Sequence, residues 1–358
     1  MIKKLDWYII KKFLGTFFFA IIILAVISCV IDYSEKVDDF VKHKAPFLAV
    51  LNYFKNFMPY IVSLLYPLFI FIASIFFTSK LAYKSEIIAI LASGVSFQRF
   101  LRPYIIGSAF LGVMALLCSH WIVPAANKQR LNFEDLYVHE HVNTADRNVH
   151  LRLTPGLYVY MQNYDYNANR GYRFSAEKID GILLKEKVMA ETASYDSVKK
   201  QWHLYNVTTR TNDGLHEQLK YATEMTQAYA FTPKDLKVND DIMQAMTTPQ
   251  LLDHIELLKT RGAETLNFYY VELHKRTSQA FAGFILTMIG ACIASRKIRG
   301  GSGFHLALGI VISAVYIMLM QFSTTFSTKA GLNPLIAVWI PNILAGILAF
   351  YLYRKQIK

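Results

Sequence analysis

Six long apolar runs alternate with short polar stretches along the chain, and one long insert interrupts the series. The runs lack Asp, Glu, Lys and Arg and cover residues 13–31, 56–79, 103–127, 277–295, 300–328 and 330–353. Each is long enough to cross roughly 30 Å of hydrocarbon as a helix, so the pattern predicts six membrane spans. Ahead of the first run, residues 1–12 (MIKKLDWYIIKK) interleave apolar and basic positions, with Leu5, Tyr8 and Ile9 at helical spacing. That predicts a short interfacial helix leading into span one. Residues 32–55 read as a short external loop of mixed charge that joins spans one and two as a hairpin.

The insert, residues 128–276, is large enough for a folded domain with its own core. Residues 150–162, 179–194, 201–210 and 218–231 are rich in Val, Tyr, Thr and Leu with partial alternation, which predicts strands. Turn chemistry separates them at Asn169-Arg170-Gly171, Asp180-Gly181 and Asn212-Asp213-Gly214. Short strands without an intervening helical pattern predict a β-sandwich or jelly roll. From Thr248 the period changes. Pro249 suits a first helical position, Leu251, Leu252, Ile255 and Leu258 follow at helical spacing as far as Gly262, and residues 266–276 run straight into span four. No repeat of 20 to 50 residues is evident, although a weak three-plus-three symmetry around the insert is compatible with the pattern. The fold class is therefore an α+β membrane protein. Residues 1–127 hold spans one to three with a loop at 80–102, residues 128–262 a β-rich domain ending in a helix, and residues 263–358 spans four to six.

Charge orients this arrangement. The 358 residues carry 38 Lys and Arg against 26 Asp and Glu, a net charge of +12. Segments 1–12, 80–102, 296–299 and 354–358 contain the whole excess, with Asp6 and Glu86 as their only acids. By the positive-inside rule these four segments and both termini are cytoplasmic, and the insert lies outside. A basic excess confined to short loops points to topology and anionic lipid and excludes a nucleic-acid role. The three cysteines, Cys29, Cys118 and Cys292, all fall in apolar runs, which leaves the insert no disulfide. Val26-Ile27-Ser28-Cys29 resembles a lipoprotein cleavage box, but the apolar run continues past it and five more follow, so the segment reads as an uncleaved span.

The chain has no Gly-x-x-x-x-Gly-Lys-Ser/Thr loop, no Gly-x-Ser-x-Gly and no His-Glu-x-x-His, so no nucleotide, cofactor or catalytic site is expected. His139, Glu140 and His141 fit a solvated loop better than a metal site. The loop at 80–102 is more informative, because it places one acid, Glu86, and the apolar Ile87, Ile88, Ile90 and Leu91 ahead of a helix stop at Ser93-Gly94. Either an interfacial helix rests on lipid there, or a coupling helix docks in a groove of a soluble ATPase and Glu86 pairs with a cation. Lys36, Lys42 and Lys44 follow the outer end of span one, where cations could meet lipid phosphates, but Asp32, Glu35, Asp38 and Asp39 lie among them. Residues 321–328, with Gln321 and Thr325, are polar for a lipid-facing helix and suit either interhelical hydrogen bonds or a cavity lining.

Several stretches resemble the lipopolysaccharide-export permeases LptF and LptG. They are KLAYKSEIIAILASGVS (80–96) with Arg99 and Pro103, YVELHKR (270–276), LNPLIAVWIPN (332–342), LDWYII (5–10), and the pairs Met58-Pro59 and Tyr66-Pro67. One departure is the absence of a proline shortly after Arg276, where the chain reads Thr277-Ser278-Gln279. The resemblance implies a non-catalytic permease subunit of the inner membrane with a periplasmic β-jelly roll. It pairs with a sister permease or a second copy around a lipid cavity and is driven by a cytoplasmic, LptB-like ABC ATPase dimer. Lipopolysaccharide would pass to a periplasmic LptC/LptA-like bridge. On this reading Glu86, Ile87, Ile90, Leu91 and Gly94 form the coupling element, and Lys36, Lys42 and Lys44 meet the lipid headgroup. Leu157, Val159 and Met161, on one strand face lining an open apolar groove, belong to the lipid path together with Gln321 and Thr325. Two rival readings are a subunit that transmits force to a periplasmic partner without carrying lipid itself, and a membrane scaffold without transport.

The charge partition puts residue 297 inside and residue 213 outside. Cysteine substituted for Asp213 is expected to react with an impermeant thiol reagent in intact spheroplasts, and cysteine substituted for Lys297 only after lysis. The reverse pattern would invert the topology.

Overall fold

The computed structural model describes residues 3–138, 146–165, 168–181, 183–213, 216–236, 240–261, 265–296 and 301–357. Lys297 and the 139–141 cluster lie outside them. The chain divides into two compact units, one built from Met1–Val138, Asp241–Leu251 and Asn267–Lys358, the other from His139–Asp240 and Leu252–Leu266.

The first unit is helical. Helices α1 (Lys4–Lys42), α2 (Phe47–Tyr83), α3 (Glu86–Ala92), α4 (Phe97–Leu117) and α5 (Val123–Tyr137) precede the insert. The short helix α6 (Asp240–Gln244) and then α7 (Thr248–Arg261), most of which belongs to the second unit, lead back to α8 (Leu266–Ala294), α9 (Gly301–Ala330) and α10 (Pro334–Ile357). A π-helical turn at Cys118–Ile122 joins α4 to α5, so the two continue as one apolar rod. Among the described residues six helices are long and apolar enough to cross a membrane, and each takes in most of one of the six apolar runs. The expected interfacial helix at 1–12 is instead the first turns of α1, which runs 39 residues without a break. Residues 32–55 are likewise helical apart from the bend at 43–46. No helix breaker intervenes before Lys44 (φ +51) and Pro46, and Phe40, Tyr53, Phe57 and Phe133 bury an aromatic cluster that holds both extensions.

Small residues let α2 and α8 approach closely. A methyl group at Gly283 would overlap the Tyr66 ring and one at Gly290 would crowd Ser74, while the Ser74 hydroxyl donates to the Thr287 carbonyl at 2.9 Å. Backbone proximity of this kind is how apolar helices associate when lipid removes the hydrophobic drive between them. Helices α8, α9 and α10 are joined by side-chain amides and hydroxyls. Tyr316 donates to Asn342 Oδ1 (2.8 Å), Asn342 Nδ2 donates to the Ser278 carbonyl (2.9 Å), and the Ser278 hydroxyl donates to the Val338 carbonyl (3.0 Å).

The second unit holds one antiparallel sheet of six strands in sequence order: β1 (Asp146–Thr154), β2 (Leu157–Asp165), β3 (Arg170–Asp180), β4 (Leu183–Asp196), β5 (Gln201–Asp213) and β6 (His216–Gln227). Each tight connection returns the chain to the adjacent strand, so the described strands pair in sequence as a meander. The predicted strand at 150–162 is in fact a hairpin, turned at Pro155-Gly156 with Gly156 at φ +89. Strand β3 escaped notice because only Gly171, Phe174 and Ala176 face inward and charged residues fill the other face. Beyond β6 the chain folds over the sheet and lays Tyr229, Phe231 and Leu236 on its apolar face. Trp202 anchors this lid. Its indole stacks on Phe231 with ring centroids 4.6 Å apart, and its Nε1 donates to the Phe231 carbonyl at 3.0 Å.

Replacing Trp202 with alanine removes both contacts from a side chain that is fully buried. The β unit of Trp202→Ala is expected to lose about 3 to 5 kcal/mol. Hydrogen exchange of peptides from β5 and residues 229–236 in the full-length protein is the measurement, and native protection there would refute the anchoring role.

Candidate functional site

Between α2 and α4 the chain makes a corner around α3. Ser85 (φ +58) and Gly94 (φ +86) turn the backbone on either side of it, and the left-handed conformation at 94 favours glycine. Ser96 then caps α4 by accepting from the Arg99 backbone at 3.2 Å. Ile87 fastens α3 to the helical core at 1% exposure, and Ile90 packs half-buried against the same cluster. Ile88 and Leu91 are exposed. Glu86 is half-exposed and makes no ion pair or hydrogen bond with the described residues. The other acid of the basic segments, Asp6, has a different fate. Arg99 grips it with two bonds, Nη1 to Oδ1 at 2.7 Å and Nη2 to Oδ2 at 2.6 Å, and it also accepts from the Lys3 backbone at 2.7 Å. Structure therefore consumes one of the two acids and leaves the other beside exposed apolar side chains.

A buried ion network occupies the opposite ends of α1, α2 and α5. Lys36 Nζ lies 2.7 Å from Asp32 and 2.7 Å from Glu134, and the Tyr53 hydroxyl is within hydrogen-bonding distance of both acids, at 2.8 and 2.9 Å. Arg130 donates to both oxygens of Glu134 at 2.9 Å, while its Nε donates to Asn127 Oδ1 at 2.7 Å. The Arg130 guanidinium also lies over the Tyr60 ring, 4.3 Å from its centroid. Two cations and two carboxylates balance, which is what allows Glu134 to be 4% exposed. Lys36 is therefore engaged inside the protein. Lys42, also with a partner, and Lys44 are exposed near the end of α1.

In the sheet, Val159 (2% exposed) and Met161 (0%) sit in the core under the 229–236 lid, so the expected open groove is closed at these positions. Leu157, half-buried, lines a cavity of about 520 Å³ at one end of the sheet, together with Ala176, Val188 and Tyr229. Burial pushes the Tyr229 hydroxyl up to about 12 and keeps it neutral. On α9, Ser323 donates to the Ala337 carbonyl and Ser327 to the Leu332 carbonyl, which explains part of that helix's polarity as interhelical and turn bonding. Gln321 is exposed, and Thr325 donates back to its carbonyl at 2.8 Å.

Sequence reasoning missed Tyr53, Arg130 and Glu134. The last two carried a signal in their four-residue spacing just past the apolar run at 103–127, whereas Tyr53 carried none. Among the described residues no group of His, Cys, Asp or Glu has the geometry to hold a metal ion.

Among the described residues, six apolar helices, an anchored short helix between the second and third, and a β unit inserted between the third and fourth define a protein built to span a membrane several times. The chain belongs to the lipopolysaccharide export system permease LptF/LptG family, which it matches over residues 7–355. It is similar to the lipopolysaccharide export system permease protein LptG of Escherichia coli strain K12, with 18% identity over 361 residues and 98% of each chain covered. The LptG protein of Escherichia coli O6:H1 strain CFT073 matches to the same extent. As a permease of this family the chain is a non-catalytic membrane subunit.

Lys36 holds two carboxylates that are largely withdrawn from bulk water. Lys36→Met is expected to destabilise the helical unit by about 3 kcal/mol, and adding Asp32→Asn to recover a substantial part. Unfolding of the purified protein in detergent measures both. A double variant no more stable than Lys36→Met alone would show that the two charges are not coupled.

Proposed function

We propose that the chain is one permease subunit of an ABC transporter that withdraws lipopolysaccharide from the bacterial inner membrane and hands it to a periplasmic bridge. In this reading both termini and α3 are cytoplasmic and the β unit is periplasmic. The observation that carries it is α3 itself, a helix fixed from below by Ile87 while Glu86, Ile88 and Leu91 remain open. A carboxylate beside exposed apolar side chains suits a groove with a basic rim, and a cytoplasmic ATPase dimer of the LptB kind is the partner assigned to it. Ile90 and Gly94 keep the helix seated and end it.

The remaining roles follow from what is accessible. Lys44 is open to a lipid phosphate, while Lys42 and Lys36 can accept one only by exchanging a partner they already hold. Gln321 and Thr325 lie on the side of α9 away from the Ser323 and Ser327 bonds, where a sister permease or a second copy would enclose the lipid. Leu157 borders the sheet-end cavity through which an acyl chain would reach Val159 and Met161 once the 229–236 lid lifts. Strand β6 is an exposed edge, paired with β5 alone among the described residues, and such an edge suits strand addition by an LptC/LptA-like bridge. One observation favours the force-transmitting alternative: the closed core at Val159 and Met161 offers lipid no path unless it opens.

Glu86→Lys reverses the exposed charge without touching the Ile87 anchor. It is expected to weaken association with the copurifying ATPase, or its stimulated hydrolysis, by about tenfold or more. Lys84→Glu, two residues earlier and outside the helix, is expected to have a small effect. Equal, mild effects from both variants would leave α3 resting on lipid and remove the coupling assignment.

A further inference from the structure

A cavity of about 90 Å³ lies between α2, the π-helical turn with α5, and α8, with Tyr60, Ser63, Asn127, Glu272, Lys275 and Arg276 among its walls. It has room for several waters or one phosphate-sized group. Its polar groups do not cancel. Arg276, 4% exposed, is fully engaged: Nε donates to Glu272 at 3.1 Å, Nη1 to the Thr248 hydroxyl at 3.1 Å, and Nη2 to the Met243 and Met246 carbonyls at 3.2 and 2.9 Å. Glu272 thus neutralises Arg276 and leaves the charge of Lys275 over. Lys275 has no ion pair or hydrogen bond with any described residue.

Asn127 adds a second free donor. The residue is completely buried, and its Oδ1 accepts from Arg130 Nε, which fixes which end of the amide is oxygen. Its Nδ2 consequently points elsewhere and finds no acceptor among the described residues. Water could satisfy the amide, but it solvates the charge of the half-buried Lys275 only in part. The depth of the cavity is also informative. Asn127 and Lys275 stand at or beside the ends of the apolar runs 103–127 and 277–295, which is where lipid headgroups meet protein.

We propose that this cavity is a subsite for one anionic oxygen group, a phosphate monoester, taken up by the Lys275 ammonium and the Asn127 amide. The phosphate is carried by a lipid headgroup or arrives free from solution. The assignment is independent of the transport reading, because it rests on unsatisfied donors and not on the family.

The test uses the full-length protein in phosphatidylcholine nanodiscs, titrated with inorganic phosphate, and in a second series of discs doped with phosphatidic acid. Binding is read from ³¹P NMR and from the rise in unfolding temperature. Lys275→Gln removes the charge. Asn127→Asp keeps the acceptor that Arg130 needs while replacing the free donor with a carboxylate. Each variant is expected to raise the dissociation constant about tenfold or more, and Lys259→Gln, at an exposed lysine on α7, to leave it unchanged. A response to phosphatidic acid alone assigns the site to lipid, and a response to inorganic phosphate in undoped discs assigns it to the free ion. The proposal is overturned if neither ligand binds, or if both variants fold and bind as tightly as the unaltered protein.

Discussion

Hydrocarbon offers no hydrogen-bond partners, so every polar group drawn among these helices must be matched within the protein. That constraint decides how the helices associate. Ser74 reaches from α2 to the Thr287 carbonyl on α8, and the Tyr316–Asn342–Ser278 series ties α9 and α10 to α8. Gly283 and Gly290 let the first of these contacts form, since a larger residue at either position would hold α2 and α8 apart. At the two ends of the unit the same rule governs charges, with Asp6 answered by Arg99 and Glu134 by Lys36 and Arg130.

Most buried polar groups are matched, and the exceptions stand out. Arg99 could have served Glu86, which lies thirteen residues before it in the same basic loop, yet it turns to the N-terminal helix instead. The sheet repeats the theme in backbone form. Among the described residues strands β2 to β5 are paired on both sides, whereas β1 and β6 are each paired on one, and nearly all side chains of β6 are exposed. Internal satisfaction holds the fold together, with exceptions at the surface in Glu86 and the sheet edges and in the interior in the Tyr66 and Ser313 hydroxyls.

How much of this was legible in the sequence depends on the length scale of each signal. The six spans were plain because an uncharged run of about twenty residues matches the thickness of hydrocarbon and exceeds what a buried helix of a water-soluble domain requires. The helical extensions at 32–42 and 47–55 were not, because polar residues there hide a stripe of Phe40, Tyr53 and Phe57 whose partner, Phe133, is remote in sequence. In the insert, turn residues located the hairpins better than strand composition located the strands. Pro155-Gly156 was passed over inside a continuous apolar stretch, and sheet order was invisible because it depends on pairing. The lone acid of the 80–102 loop could be singled out from charge alone. The ion network could not, since Lys36 and Glu134 meet across 98 residues and Tyr53 announces nothing.

The unbroken course of α1 has a mechanical consequence. At 1.5 Å per residue, the 30 positions from Asp6 to Lys36 span about 45 Å, well beyond the apolar thickness of a bilayer. The helix contains no proline or π-turn at which it could bend, unlike the rod formed by α4 and α5. Its two ends are each clamped by ion pairs to other helices, Arg99 on α4 at one end and Glu134 on α5 at the other. Such a member behaves as a strut in a truss. A tilt imposed where α4 leaves the α3 corner arrives at the Lys36 end as a sideways displacement of the carboxylate pair, with no change in the helix between.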